Sequence, residues 1–216
     1  RAPRAGEPIS EFWYWLFFLP CAPMAEVGPD GHPKRGGFLP PIELERRMWA
    51  GGRLTFHGDI RVGDDIEQTS EVLKIAEKEG KAGRMVFVTV KHSVRSPRGL
   101  AVEEEQDIVY REPGPPVPAP QPIDLPPVPA GAWSRVVAPD TRLLFRFSAL
   151  TFNAHRIHYD RPYAIGEEGY PGLVVHGPLT AVMLLELVRH RAARPIVGFS
   201  FRGQAPLFDL APFRLV

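Results

Sequence analysis

A single cysteine, Cys21, stands in a chain of 216 residues. No internal disulfide can form, so the fold must rest on packing, and a lone thiol fits a reducing, cytoplasmic setting. Excess charge is missing as well. Lys and Arg total 26 against 25 Asp and Glu, a formal net charge of +1. That balance speaks against global attraction to nucleic acid or an anionic membrane, and leaves any anion site to a local Arg or Lys cluster. No apolar run approaches the roughly 20 residues that span a bilayer. The longest, Phe12–Leu19 (FWYWLFFL), lacks the basic start and small-residue exit of a signal peptide. It reads as a buried strand or the start of a helix. No short internal repeat is visible.

Proline, in contrast, is abundant and unevenly placed. The stretch Pro113–Pro129 (PGPPVPAPQPIDLPPVP) can form neither helix nor central strand, because proline fixes φ and removes donors. It is expected to be a semi-extended linker over 113–132, between a first half, 1–112, and a second half, 133–216. The first half reads as β-rich. Arg53–Ile60, Arg84–His92 and Leu100–Tyr110 are strand candidates, while Glu67–Glu79 is ambiguous: its Glu, Lys, Ala and Leu favour helix, and its short length between two strands favours a strand in a meander. No long buried helix is expected there. In the second half, Leu143–Phe147 (LLFRF) reads as a strand and Pro178–His190 (PLTAVMLLELVRH) as a helix apolar around most of its circumference. Ile196–Phe201 then reads as a returning strand. The chain stops at Arg214–Val216 within strand-like sequence, so the second half is expected to lack its last strands.

The chemistry concentrates in Phe147–Gly177 (FSALTFNAHRIHYDRPYAIGEEGYPGLVVHG), which holds His155, His158, Asp160 and His176 among few other ionisable groups. Histidine exchanges protons near neutral pH, and Asn153 can hold a water by donating and accepting. A helix opening at Gly177–Pro178 presents free N–H groups suited to a developing enolate oxygen. A proton shuttle, a water holder and an oxyanion site together are what adding water across a thioester-conjugated double bond requires.

These residues resemble the MaoC-like (R-specific) enoyl-CoA hydratases. The family motif runs Gly-Asp-x-Asn-Pro-Ile-His, with an acidic residue two positions on and a small residue soon after. The matching run here is Phe152–His158 (FNAHRIH), then Asp160 and Ala164, and a downstream His-Gly matches His176–Gly177. The HRIHYD version is similar to a long, two-hotdog subgroup. That subgroup includes mitochondrial 3-hydroxyacyl thioester dehydratases and bacterial mesaconyl-CoA and itaconyl-CoA hydratases. Phe17–Pro20, Gly28–Gly37 (GPDGHPKRGG) and Arg46–Arg53 are similar to the bacterial branch. The resemblance implies an α+β double hotdog, with antiparallel sheets wrapped around a central helix in the second half and no long helix in the first. It implies reversible hydration of a 2-enoyl-CoA to a 3-hydroxyacyl-CoA without a cofactor, on a short branched dicarboxylic substrate such as mesaconyl-CoA or itaconyl-CoA. Where the single-hotdog enzymes carry Asp, this chain has Asn153, which cannot take a proton from water.

The resemblance makes His158 the acid–base, Asn153 the water holder and Gly177 the oxyanion donor, with Asp160, His155 and His176 as support. Arg189, Arg191, Arg194 and Arg202 are the candidates for the CoA phosphates, since guanidinium forks bind phosphate oxygens well. The partner is an acyl-CoA, and a homodimer is compatible. The spacing His155-x-x-His158-x-Asp160, with His176, also suits a metal, but nothing else completes a known motif, so no metal is expected. A fatty-acid-type dehydratase, a thioesterase and a non-catalytic acyl-CoA-binding module stay open, because one fold hosts all of them.

Overall fold

The computed structural model describes residues 3–80, 83–120 and 125–216. The chain divides into two compact units that interleave along the sequence. The first takes Arg1–Leu19, Gly36–Glu112 and Arg194–Gly203; the second takes Pro20–Arg35, Pro113–Ala193 and Gln204–Val216. Residues 121–124 of the proline-rich stretch lie outside the described residues. Its described remainder, 113–120 and 125–132, carries no helix or strand, as a run without regular donors must.

The first unit is an antiparallel sheet in the order β2-β3-β4-β1-β6. Its long strands are β1 (Arg46–Phe56), β2 (Glu67–Gly80), β3 (Gly83–Ser96) and β4 (Gly99–Arg111). Of the two readings of Glu67–Glu79 the strand is the one that forms, and pairing with β3 overrides the helical propensity of those residues. β3 shows the reason in its alternation: Val86, Val88, Val90 and Val94 point inward and are buried. Val86, Val88 and Val90 pack with Leu44, Ile108 and Tyr110. The strand expected over Ile196–Phe201 forms as β6 (Gly198–Arg202), and it pairs with β1 of this first unit. No α-helix occurs among the described residues of this unit. The aromatic run instead makes a short 3-10 turn, Trp13–Leu16, with Phe12 packed edge-on against Phe56 and Phe199.

The second unit is mainly helical: α1 (Thr141–Leu150), α2 (Arg161–Gly166) and α3 (Gly177–Arg189), with a two-stranded ladder of β5 (Arg135–Val137) and β7 (Phe213–Leu215). The strand expected at Leu143–Phe147 is thus overturned. Asp140 caps the N-terminus by accepting the Leu143 N–H, and Leu144 and Ser148, four apart, share the buried face. Five apolar-rich residues cannot distinguish the two periods on their own. α3 is a helix as expected, but its buried stripe is Leu179, Ala181, Leu185 and Leu187, while Val188 is exposed. Its core partners include Leu144, Leu173, Phe208 and Phe213. Cys21 is exposed, not packed. No helix among the described residues is long and apolar enough to cross a membrane.

One buried carboxylate stands out in the first unit. Glu104 of β4 is 2% exposed. Its Oε2 accepts from the Tyr14 hydroxyl and from the Trp15 indole N–H at 2.9 Å, while Oε1 has no hydrogen-bond partner among the described residues. Burial raises its pKa above the usual carboxylate value, against the pull of those two donors. A raised folded-state pKa means stability that is complete below about pH 4.5, the ordinary value, and declines as pH rises through the raised one. Glu104→Gln mimics the protonated acid. Chemical denaturation from pH 5 to 9 is therefore expected to show wild-type stability falling relative to Glu104→Gln; parallel curves would refute a costly buried charge.

Candidate active site

The motif begins at the end of α1. The N–H of Asn153 bonds the Ser148 carbonyl at 2.9 Å and the N–H of Phe152 bonds that of Ala149 at 3.4 Å, a paired closure that requires a left-handed residue. That residue is Phe152, with φ 49°, at the position where the family motif carries glycine. The turn delivers Asn153, whose Oδ1 accepts the His155 N–H at 3.0 Å. A 3-10 turn, Arg156–His158, then places His158 in the interior.

His158 is 7% exposed. Its Nδ1 faces the Val174 carbonyl at 2.7 Å, so the N–H of a neutral ring sits there and the lone pair belongs to Nε2. Burial lowers the His158 pKa to about 4; the Val174 bond opposes this, and the charge of His32 adds to it. His176, the residue just before α3, stacks on His158 with ring centroids 3.6 Å apart. Its Nε2 meets the Ser148 hydroxyl at 2.9 Å and its Nδ1 has no hydrogen-bond partner among the described residues. Burial, with the neighbouring His158, takes the His176 pKa down to about 2. Both rings are therefore neutral at pH 7. His155 is buried and stands edge-on to His158 at 5.4 Å.

Gly177 opens α3 and is exposed, with space around its Cα. Its N–H makes no backbone hydrogen bond among the described residues. Asp160 lies apart in role: it caps α2 by accepting the Tyr163 N–H at 3.2 Å, and accepts from Arg156 at 2.8 and 3.0 Å. The Arg156 hydrogen bonds hold its pKa below the usual value. Arg189 lies 3.7 Å from Glu186, and Arg191 donates to the Leu187 carbonyl at the end of α3. Arg194 and Arg202 belong to the first unit and are exposed.

Two residues near the histidines escaped sequence reasoning: Asp30 and His32, from the GPDGHP run. The Asp30 carboxylate meets His32 Nδ1 at 2.9 Å, and the His32 ring lies 4.0 Å from that of His155. Burial alone would raise the Asp30 pKa, but the His32 hydrogen bond and charge hold it well below the usual range. Asp30, His32 and His155 bring donor atoms within 4.8 Å of one another, a spacing compatible with a divalent ion. The signal in the sequence was the pairing of an acid and a histidine two apart in a glycine-proline turn, but nothing there shows that it folds onto residues 154–156.

The family profile for hydroxyacyl-thioester dehydratase type 2 matches residues 12–209. The chain belongs to the hydroxyacyl-thioester dehydratase type 2 family. Within reach of this family is the mesaconyl-C(4)-CoA hydratase of Chloroflexus aurantiacus, 61% identical over all of this chain and 76% of its own length. The mitochondrial hydroxyacyl-thioester dehydratase type 2 of Schizosaccharomyces pombe is 28% identical over 94% of this chain and 75% of its own. Among solved structures, a MaoC-like dehydratase aligns with TM-score 0.62 at 16% identity, covering 78% of this chain and 62% of that one. A MaoC-like dehydratase from Phytophthora capsici aligns with TM-score 0.57 at 13% identity, over 86% and 67%. The fold is the α+β, double-hotdog class of MaoC-like dehydratases expected from the motif, with no long helix among the described residues of the first unit.

Gly31 is the hinge of the Asp30–His32 turn. Its φ is +91°, and a Cβ there would sit 1.8 Å from the Ala154 carbonyl oxygen. Both strain and collision oppose any side chain. Gly31→Ala is expected to cost more than about 2 kcal/mol, read by thermal unfolding. An unchanged melting temperature would mean that this turn is not docked on residues 154–156.

Proposed function

We propose that this chain hydrates a 2-enoyl-CoA to a 3-hydroxyacyl-CoA, in either direction, with His158 as the acid–base and a mesaconyl-C4-CoA-type dicarboxylic substrate. The observation that carries the reading is His158 itself. A buried, neutral imidazole whose Nδ1–H is committed to Val174 leaves Nε2 as a lone-pair base. Family membership supports the reaction class, and the 61% identical mesaconyl-C(4)-CoA hydratase supports the substrate class.

In the forward direction, Nε2 takes a proton from water as the oxygen bonds to the β-carbon. The electrons of the double bond move onto the thioester carbonyl, and the Gly177 N–H stabilises the resulting enolate oxygen. His158, now an imidazolium, then returns its proton to the α-carbon and the enolate collapses to the thioester. Atoms and charge balance with one water added. Asn153 orients the water through its Nδ2, because its Oδ1 already accepts the His155 N–H. His176 packs the face of the His158 ring and keeps water from it. Asp160 is occupied by Arg156 and the α2 cap, so the proton stays with His158. Arg189 and Arg191, at the end of α3, are the proposed contacts for CoA phosphates; loss of such contacts raises KM before it lowers kcat.

His158→Gln is expected to lower hydration by two or more orders of magnitude, measured as loss of absorbance at the enoyl-thioester band with mesaconyl-C4-CoA and straight-chain enoyl-CoAs. The base must be neutral, so a pKa near 4 places the acid limb of wild-type kcat/KM near pH 4, with a flat region from about 5 to 7. A limb at 6.5, or near-full activity of folded His158→Gln, would remove His158 from this role.

Gly177 separates two effects. Gly177→Ala keeps the N–H and has room for the methyl, so it should stay active. Gly177→Pro removes the donor at a first-turn position that tolerates proline. Its kcat is expected to fall by about 10²-fold, with KM little changed. Equal activity of the two variants would place the oxyanion donor elsewhere.

A further inference from the structure

We propose that Asp30 and His32 are positioning residues for this reaction, a carboxylate–imidazole pair that holds the His155 ring in place and so fixes the orientation of His158. The inference rests on His158 being the acid–base. Its basis is a sequence of contacts within the second unit. Asp30 grips His32 twice: Oδ2 meets Nδ1 at 2.9 Å and Oδ1 accepts the backbone N–H at 3.0 Å. The His32 ring then lies 4.0 Å from His155, and His155 stands edge-on to His158.

The turn that carries the pair is built onto the motif. The Asp30 carbonyl accepts the Arg156 N–H at 2.9 Å, and the Pro29 carbonyl accepts from the Arg156 guanidinium at 3.0 Å. Gly31 lets the backbone pass against Ala154 where no side chain would fit. Residues more than 120 positions apart are thereby cinched so that Asp30 and His32 meet the histidines. His176 stacks on the His158 ring. Among the described residues the ring's hydrogen bond goes to Val174, which by itself would allow rotation about that contact, and the contacts with His155 and His176 oppose it. Asn153 has replaced the motif's carboxylate, so the single acid–base must be aimed well. A small misalignment costs rate, not binding.

The test uses the full chain with Asp30→Asn, which keeps the side-chain oxygen and removes the charge, and His32→Gln. Both are expected to lower kcat for mesaconyl-C4-CoA hydration by about tenfold with KM within twofold, and to move the melting temperature by less than about 4 °C. Long-range ¹H–¹⁵N spectra of histidine-labelled protein should show His158 as one tautomer, protonated at Nδ1, in the wild type and as a mixture in the variants. Lower melting temperature with unchanged kcat and one tautomer would reduce the pair to a brace of the turn and overturn the proposal. So would stoichiometric Zn²⁺ retained through dialysis by the wild type and lost in Asp30→Asn, which would make the cluster a metal site. A fully active His158→Gln protein would overturn the acid–base reading and this inference with it. An inactive His158→Gln beside wild-type Asp30→Asn and His32→Gln would overturn this inference alone.

Discussion

The hydrogen bond from His158 Nδ1 to the Val174 carbonyl, 2.7 Å long and shut away from solvent, is the constraint on which the site depends. It decides the tautomer, and the tautomer decides which nitrogen can work as a base. A free imidazole in water would be partly protonated at neutral pH. Burial removes that ambiguity by lowering the pKa to about 4. In the proposed reaction the neutral ring is a weak but wholly available base, because its Nδ1–H is already committed to Val174.

Such a site carries a stability cost in acid. His158 and His176 are held neutral in the fold, while in the unfolded chain each takes a proton near its ordinary value of 6.5. Between that value and their folded pKa values the unfolded state binds more protons, so stability falls as the pH drops. The protein opposes this with packing around the rings. His176 stacks on His158, Phe147 meets His176 edge-on, and the core of Leu144, Leu173 and Leu179 surrounds the start of α3. The strained Phe152 at the head of the motif is a second local cost, about 1–2 kcal/mol for a left-handed side chain, tolerated where the turn must aim Asn153.

Much of this was legible in the sequence. The stretch that holds His158, Asn153 and the opening of α3 at Gly177 stood out because it matches a family motif, and the family itself is the one that the chain belongs to. The alternation of Val86, Val88 and Val90 made β3 plain, and the proline run ruled out regular structure. Leu143–Phe147 failed because a capped amphipathic helix and a strand look alike over five residues, and the Asp140 cap lies just outside them. β6 was found as a strand, but its partner, β1, lies about 150 residues upstream, and long-range pairing leaves no local trace. Asp30 and His32 were missed for the same reason. Their partners, His155 and Arg156, are far along the chain, and only the folded turn at Gly31 brings them together.

The central claim is that one histidine and one backbone N–H address opposite ends of the same thioester. A crystal structure with methylsuccinyl-C4-CoA, the saturated and unreactive counterpart of the substrate, tests it most directly. The account requires the thioester oxygen within hydrogen-bond reach of the Gly177 N–H, and the β-carbon facing His158 Nε2 with room for one water between them. A thioester bound elsewhere, or His158 Nε2 turned onto another protein group in the complex, would contradict it.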